Sequence, residues 1–189
     1  NKAMMRVISG KLKGKSITFL KSAITRPLKD SVKENIFNVL FHSNLINLNI
    51  EKCNVLDLYS GVGSFGIECI SRGSNKVVFV ENDKQAIEII NKNLISLSIL
   101  DKAKVIQDKI INYLNSKIKE KFQIIFFDPP FAKNDYIEEL KLIKKTKIFS
   151  SNHVIIIHRE RKTNDSLKDT IKPIIIKNYG RSKIIFGKF

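Results

Sequence analysis

The pattern of apolar and polar residues changes near residue 45. Before this point, Met5–Phe19 alternates and is punctuated by glycine, which predicts two short strands around the turn Gly10–Gly14. A helix from Leu28 to Phe41 is predicted next, because apolar residues recur there at helical spacing. The residues expected to form its buried stripe are Val32, Ile36, Val39 and Leu40.

From Cys53 onward, apolar runs of strand length alternate with segments of helical periodicity, and the chain ends in two strands with no helix between them. This order predicts an α/β fold with a mostly parallel seven-stranded sheet and one antiparallel strand. We expect residues 1–44 to form a hairpin-and-helix extension packed on a main domain, residues 45–189. The predicted strands are Asn54–Tyr59, Lys76–Glu81, Lys104–Gln107, Gln123–Phe127, His153–His158, Ile174–Asn178 and Lys183–Phe186, and the predicted helices are Ser64–Arg72, Lys84–Leu97, Ile110–Lys117 and Tyr136–Lys145.

The net charge of +16, from 34 Lys and Arg against 18 Asp and Glu, favours a polyanionic partner such as a nucleic acid. Genome bias is the alternative, since Lys, Asn and Ile are abundant together. No apolar run approaches the roughly 18 residues of a membrane span, and no signal-peptide core stands near the start. We therefore expect no membrane association and a cytoplasmic location. The cysteines and histidines lack ligand spacing, so no metal site is predicted.

A glycine-rich turn, Gly61-Val62-Gly63-Ser64-Phe65-Gly66, follows the first strand of the main domain and precedes a helix. The spacing G-x-G-x-x-G is typical of nucleotide cofactor sites and by itself describes a dinucleotide fold equally well. Asp57, at the end of the strand, would repel a pyrophosphate but suits a ligand with an amine and a sulfonium. Glu81, about 20 residues on, can accept hydrogen bonds from ribose hydroxyls. Together they favour S-adenosylmethionine over NAD as the cofactor.

Three further residues complete the predicted cofactor site. Tyr59 stands between Asp57 and the glycine turn, and Asn82 follows Glu81 directly. Asp108 follows the third strand of the main domain, where it can accept from the adenine amino group. It can equally act as the N-cap of a helix beginning at Ile110, and the two roles are compatible.

The run Asp128-Pro129-Pro130-Phe131 follows four apolar residues and is the more specific signal. Proline holds itself and the residue before it extended, just beyond the end of the strand where ligands bind in open α/β sheets. The Asp128 carboxylate and the Pro129 carbonyl could both accept hydrogens from one exocyclic amine. This would orient the amine and aim its lone pair at a methyl group, while Phe131 offers a ring for base stacking. The predicted catalytic residues are Asp128, Pro129, Pro130 and Phe131.

Together these motifs resemble the S-adenosylmethionine-dependent methyltransferases that modify exocyclic amines. The N-terminal block points to a narrower family. Its segments Arg6–Gly10, Lys13–Lys15, Arg26-Pro27 and Asp30–Leu40 resemble the RsmD family, bacterial methyltransferases of the guanine N2 amine in small-subunit ribosomal RNA. The resemblance covers nearly the whole chain and implies a Rossmann-like class I methyltransferase fold. It also implies that substrate contacts come from Arg26, Lys29, Phe131, Tyr179 and Arg181.

The resemblance makes ribosomal RNA, or a partly assembled small ribosomal subunit, the expected partner of a monomeric enzyme. Methylation of adenine in DNA, or of another RNA, remains an alternative, because the motif Asp-Pro-Pro-Phe is shared with those enzymes. A non-catalytic RNA-binding assembly factor on the same fold is a second alternative, which the intact Asp57, Glu81 and Asp128 disfavour. An NAD-dependent oxidoreductase is a third, and it would leave the run Asp128–Phe131 unexplained.

Overall fold

The computed structural model describes residues 2–20, 28–164, 166–167 and 169–189. None of the helices in these ranges is long and apolar enough to cross a membrane. Two 3-10 turns lie at Ile50–Lys52 and Leu100–Lys102. The strands are β1 (Lys2–Arg6), β2 (Ser16–Leu20), β3 (Asn54–Leu58), β4 (Lys76–Glu81), β5 (Ala103–Gln107), β6 (Phe122–Phe127), β7 (Phe149–Glu160), β8 (Lys172–Tyr179) and β9 (Ser182–Lys188); the α-helices are α1 (Asp30–His42), α2 (Ser64–Ser71), α3 (Lys84–Ser96), α4 (Ile110–Leu114) and α5 (Tyr136–Thr146).

Seven strands form one sheet in the order β5-β4-β3-β6-β7-β9-β8. The pairs among β3 to β7 are parallel, whereas β9 is antiparallel to both of its neighbours. The sheet therefore has one reversed strand, which confirms the predicted fold class. Strands β1 and β2 pair separately as an antiparallel hairpin, as the glycine-punctuated start of the chain predicts.

The predicted element bounds are close to the observed ones, with two clear differences. Strand β7 runs from Phe149 to Glu160 and is about twice as long as predicted. Pairing extends both of its ends, since Phe149 pairs with Phe122 of β6 before a register shift and Glu160 pairs with Ser182 of β9. Helix α4 ends at Leu114 instead of Lys117, because its apolar periodicity stops there. Neighbouring strands and local packing thus decide where these elements end.

The sheet is covered on both faces by apolar clusters. Helices α1, α2 and α3 pack with the hairpin on one face, and α4 and α5 pack on the other. Side chains alternate along β3, so Leu56 and Leu58 face the second cluster while Val55 faces the first. Helix α1 buries Phe37 in addition to three residues of the predicted stripe, whereas Val39 is only partly buried.

A buried carboxylate fastens the hairpin to the main domain. Glu68 on α2 accepts hydrogen bonds from the backbone N–H groups of Ile8 and Ser9 at 2.9 and 3.0 Å. The same carboxylate pairs with Arg72 at 2.8 Å and with Lys33 at 3.4 Å, and the side chains of Lys33 and Glu68 are fully buried. Burial lowers the pKa of Lys33, while the Glu68 charge opposes that shift. Residues 1–44 as a separate extension remain a prediction.

Gly10 lies where the hairpin turn touches α2. Its φ is +87°, and a Cβ there would lie 2.0 Å from the Ser71 carbonyl oxygen. Gly14, in the same turn, has φ +82° but open space around the position of a Cβ. We expect Gly14→Ala to cost about 1–2 kcal/mol of unfolding free energy through backbone strain alone. Gly10→Ala should cost clearly more, because the turn must also move away from α2.

The two variants can be compared by denaturant unfolding, with Gly14→Ala as the matched control. Equal destabilisation would show that the close approach of Gly10 to Ser71 does not contribute to the stability of the docked hairpin.

Candidate active site

The carboxyl ends of β3 and β6 bring the two predicted motifs together. The strands are adjacent and parallel, with Leu58 opposite Phe127. The Asp128 N–H continues this pairing and donates to the Leu58 carbonyl at 3.3 Å. The glycine turn after β3 and the proline turn after β6 therefore leave the sheet side by side. This is the edge at which open α/β sheets bind their ligands.

The three glycines of the turn have different structural roles. Gly61 has φ +56° and open space beside it, so a ligand could approach its backbone closely. Gly63 has φ +88° and precedes the first residue of α2 as its N-cap. A Cβ on Gly66 would lie 2.3 Å from the Phe79 ring, so only glycine lets α2 pack this closely on β4.

Asp57 is a buried carboxylate with one oxygen unsatisfied. Its side chain accepts from the Gly66 N–H at 3.1 Å through Oδ2. Oδ1 is buried and has no hydrogen-bond partner among the described residues. Burial raises the pKa of Asp57 well above its usual range, and the negative charges of Asp128 and Glu81 raise it further. An ammonium or sulfonium group near Oδ1 would satisfy this carboxylate, so the site fits the charged end of S-adenosylmethionine.

One pocket contains Asp57 together with Asp128. Residues from the N-terminal segment, Phe19 and Leu28, close one side of it. The remaining lining comes from the glycine turn and the adjacent strands: Tyr59, Ser60, Gly61, Val62, Ser64, Phe65 and Phe126. The structure thus joins three predicted cofactor residues, Asp57, Tyr59 and Gly61, with the predicted catalytic residue Asp128 in a single cavity.

Three other predicted cofactor residues lie along the edge beyond this pocket. Glu81 accepts from Gly61 N–H at 2.9 Å and from Asp83 N–H at 2.8 Å, which fixes the glycine turn to β4. Asn82 is exposed beside it. Asp108 is not the N-cap of α4, because that position is Lys109. Instead, Asp108 Oδ1 accepts hydrogen bonds from the Lys109 N–H and from the Asn112 side-chain amide.

Tyr59 holds the glycine turn to helix α5. Its φ is +58°, and its hydroxyl donates to both carboxylate oxygens of Glu139. Glu139 lies 3.7 Å from the Lys133 ammonium, in the segment that follows the proline turn. Burial and the neighbouring Glu139 raise the pKa of Tyr59. The phenol is therefore a hydrogen-bond donor that ties the two turns together, and its cofactor contact remains a prediction.

The proline turn, Asp128–Phe131, offers two free acceptors among the described residues. Asp128 Oδ1 is bonded to His158 Nδ1 at 2.9 Å, and the buried Arg159 donates to the carbonyls of Pro130 and Phe131 at 3.3 and 3.2 Å. Among the described residues, neither Asp128 Oδ2 nor the Pro129 carbonyl accepts a hydrogen bond. Both acceptors belong to the same turn, as the amine-binding hypothesis requires.

The predicted substrate residues lie around this turn where the structure describes them. Lys29 is exposed next to the pocket residue Leu28, and Arg26 lies outside the described residues. Tyr179 and Arg181 flank the β8–β9 turn, whose Ser182 hydrogen-bonds His158 at 2.8 Å. Strand β8 runs parallel to β3 and β6, so its end reaches the same edge of the sheet.

Sequence reasoning missed the hydrogen-bond and packing partners of the two turns. His158 and Arg159 end the apolar run of β7, and Glu139 lies on the buried side of α5. One signal was available for the first two: polar residues at the carboxyl end of a parallel strand face the same edge as Asp128. Glu139 carried no such signal, because acidic residues are ordinary near the start of a helix.

Known proteins of similar sequence and fold include methyltransferases. A relative from Buchnera aphidicola (subspecies Baizongia pistaciae), named ribosomal RNA small subunit methyltransferase D, is 31% identical over 98% of this chain and 91% of its own length. The solved structure of the methylase candidate HI0767 from Haemophilus influenzae is 26% identical, with a TM-score of 0.77 and 98% of each chain covered. The structure of SMU.776 complexed with SAH matches 100% of this chain and 56% of its own, at 14% identity and a TM-score of 0.70.

The fold and the pocket at the ends of β3 and β6 define an enzyme of the S-adenosylmethionine-dependent methyltransferase class, with a Rossmann-like sheet. Within that class, residues 5–188 match the family described as conserved hypothetical protein 95. The chain belongs to this family, which is the RsmD family indicated by its N-terminal block and its Asp-Pro-Pro-Phe motif.

Because only one oxygen of the buried Asp57 carboxylate accepts a hydrogen bond among the described residues, we expect this residue to lower the stability of the ligand-free protein and to raise its affinity for the cofactor. Because burial raises its pKa, the ligand-free fold favours the protonated group, and its contribution to stability is lost as pH rises from about 4 through the raised pKa. Asp57→Asn should therefore raise the unfolding free energy of the ligand-free protein near pH 7 by about 1–3 kcal/mol. The difference from wild type should shrink as pH falls toward 4.

The same variant should bind S-adenosylmethionine about 10–100-fold more weakly in calorimetry, because it lacks the charge that faces the ligand. Asp101→Asn, at an exposed carboxylate on the 3-10 turn before β5, is the matched control. Wild-type affinity in Asp57→Asn would contradict the assignment of this carboxylate to the cofactor.

Proposed function

We propose that this chain transfers a methyl group to the exocyclic N2 amine of a guanine in small-subunit (16S) ribosomal RNA. The single observation that carries the amine chemistry is the pair of free acceptors, Asp128 Oδ2 and the Pro129 carbonyl. They stand beside a pocket that contains the half-satisfied carboxylate of Asp57. S-adenosylmethionine, when bound, supplies an electrophilic methyl group on its sulfonium.

The amine on a base is planar and a poor nucleophile, because its lone pair is delocalised into the ring. Asp128 and Pro129 each accept one of its hydrogens, which orients the nitrogen and favours pyramidal geometry. The lone pair then points toward the methyl group, and positioning is the main contribution of the protein. As the N–C bond formed, the bond from that carbon to sulfur would break and leave its electron pair on sulfur, while the surplus proton on nitrogen would pass to the Asp128 carboxylate or to water.

The choice of ribosomal RNA rests on the family and on charge. The Buchnera relative that covers nearly the whole chain is named for the small-subunit ribosomal RNA. The net charge of +16 suits a polyanionic substrate. Guanine N2 as the methylated position rests on the resemblance of the N-terminal block to the RsmD family. Phe131 would stack on the base, and its partly exposed ring lies 5.3 Å from the His158 ring.

Residues around the pocket would bind the rest of the substrate. The extension, residues 1–44, already places Phe19 and Leu28 in the pocket wall, which supports a role for it as a cover over the site. Lys29 and Arg181 are exposed cations near the edge, and with Arg26 and Tyr179 they would contact RNA. We propose that the enzyme acts as a cytoplasmic monomer on the RNA or on a partly assembled small subunit.

Incubation with labelled S-adenosylmethionine and small-subunit particles from a strain lacking the enzyme tests the proposal directly. We expect label in one guanine of the small-subunit RNA, located by nuclease mapping. Asp128→Ala should reduce transfer by at least about 1,000-fold, because the amine loses one of its two acceptors and its proton acceptor. Cofactor affinity measured by calorimetry should stay close to wild type.

Three results would contradict the proposal in different ways. Label in DNA adenine, or in another RNA, would keep the amine chemistry and change the substrate. Binding of RNA and S-adenosylmethionine without any transfer would favour the assembly factor. Unchanged turnover in Asp128→Ala would reject the mechanism itself.

RNA affinity should fall steeply with salt if the positive charge contacts phosphates. Lys29→Ala and Arg181→Ala should each reduce the slope of log K against log salt by about 0.7–0.9, one counterion per lost contact. Lys76→Ala is the matched control, because this exposed lysine begins β4 at the opposite edge of the sheet. A salt-independent affinity would mean that the surplus charge reflects genome bias.

A further inference from the structure

His158 is a buried residue beside the catalytic turn that the proposed chemistry does not yet use. It lies on β7, the strand next to β6, and only 8% of the residue is exposed. Phe127 pairs with Ile157 in the parallel register of β6 and β7. Asp128 follows Phe127 directly after the end of β6, and His158 follows Ile157 within β7, so the pairing itself sets the imidazole beside the Asp128 carboxylate.

Both nitrogens of the imidazole are engaged. Nδ1 lies 2.9 Å from Asp128 Oδ1, and Nε2 lies 2.8 Å from the Ser182 hydroxyl oxygen. A carboxylate only accepts hydrogen bonds, so the proton of the neutral ring is on Nδ1 and Nε2 accepts from Ser182. The edge of the ring system also meets Phe131, at 5.3 Å between centroids and 74° between planes. The ring is therefore held from three sides.

This arrangement decides which oxygen of Asp128 is available. The terminal torsion of an aspartate side chain is soft, so an unrestrained carboxylate would rotate between several orientations. The Nδ1–H group holds Oδ1, and Oδ2 is left without a hydrogen-bond partner among the described residues. A displacement of about 1 Å in a catalytic group can cost about 100-fold in rate. A carboxylate fixed in one orientation is thus worth more to the reaction than a mobile one.

We propose that His158 is a positioning residue that fixes the Asp128 carboxylate so that Oδ2 faces the substrate amine. Ser182 fixes the imidazole in turn, and it does so from the β8–β9 turn that carries Tyr179 and Arg181. The inference rests on the proposed function, because Asp128 must be the acceptor of the amine. It adds a residue from β7 and one from β9 to the machinery of the site.

Two substitutions separate the two hydrogen bonds. The amide nitrogen of His158→Asn stands close to the place of Nδ1 and can still donate to Asp128. The amide nitrogen of His158→Gln reaches toward the place of Nε2 and Ser182 instead. In single-turnover methyl transfer, His158→Asn should keep the rate within about 3-fold of wild type. His158→Gln and His158→Ala should lower it about 10–100-fold, with the affinities for S-adenosylmethionine and RNA within about 2-fold.

His153 provides the matched control, because it is a second buried histidine on the same strand, nearer the start of that strand. Its Nδ1 lies 2.7 Å from the Ser150 carbonyl oxygen, and its Nε2 accepts from the Phe189 N–H. His153→Asn and His153→Gln should leave the rate of transfer unchanged at saturating substrate. Equal losses at both histidines would show that burial on β7, and not contact with Asp128, sets the rate.

A spectroscopic measurement tests the geometry without activity. In protein labelled with ¹⁵N at histidine, NMR near pH 8 should show His158 protonated at Nδ1 and not at Nε2, and Asp128→Ala should abolish this preference. The opposite tautomer, or a His158→Gln rate equal to wild type, would overturn the inference. Transfer to a different nucleotide with the same pattern among the variants would reject the proposed substrate and retain the role of His158.

Discussion

Asp57 and Asp128 share one edge of the sheet because β3 and β6 run parallel with Leu58 opposite Phe127. The Asp128 N–H then donates to the Leu58 carbonyl, which fixes the position of the proline turn relative to the end of β3. A slip of one residue in β3 would turn Asp57 to the opposite face and bury Leu56 or Leu58 where a polar group is needed. The pocket, the free acceptors and the contact with His158 all depend on this register.

Two buried carboxylates of this chain differ in how many hydrogen-bond donors and positive charges surround them, and this difference matches their different roles. Glu68 is bonded to two backbone N–H groups and to Arg72, and it also pairs with Lys33, so its charge is compensated inside the protein. Asp57 has a single donor and lies among other acids. The first carboxylate holds the hairpin on α2, whereas the second is left for a ligand to complete. A protein that binds a cationic ligand at a buried acid accepts lower stability while the site is empty.

Much of this arrangement can be predicted from local patterns. The alternation of apolar runs and helical segments predicts the sheet, and the closing pair of strands predicts its reversed member. The glycine spacing and the acids at strand ends predict the cofactor side of the pocket, and the prolines place Asp128 beyond the sheet. The role of Asp108 as a helix N-cap was wrong, because α4 begins at Ile110 as predicted and the residue directly before it, Lys109, therefore occupies the N-cap position.

The sequence by itself determined the fold class, the position of the glycine turn and the acceptors of the proline turn, because these depend on residues that are neighbours along the chain. Only the tertiary structure decided which oxygen of Asp128 is free, since His158 comes from another strand 30 residues away. It also placed Phe19 and Leu28 in the pocket wall and matched the Tyr59 hydroxyl to Glu139. Contacts of this kind follow from strand order and register, which no local pattern of residues specifies.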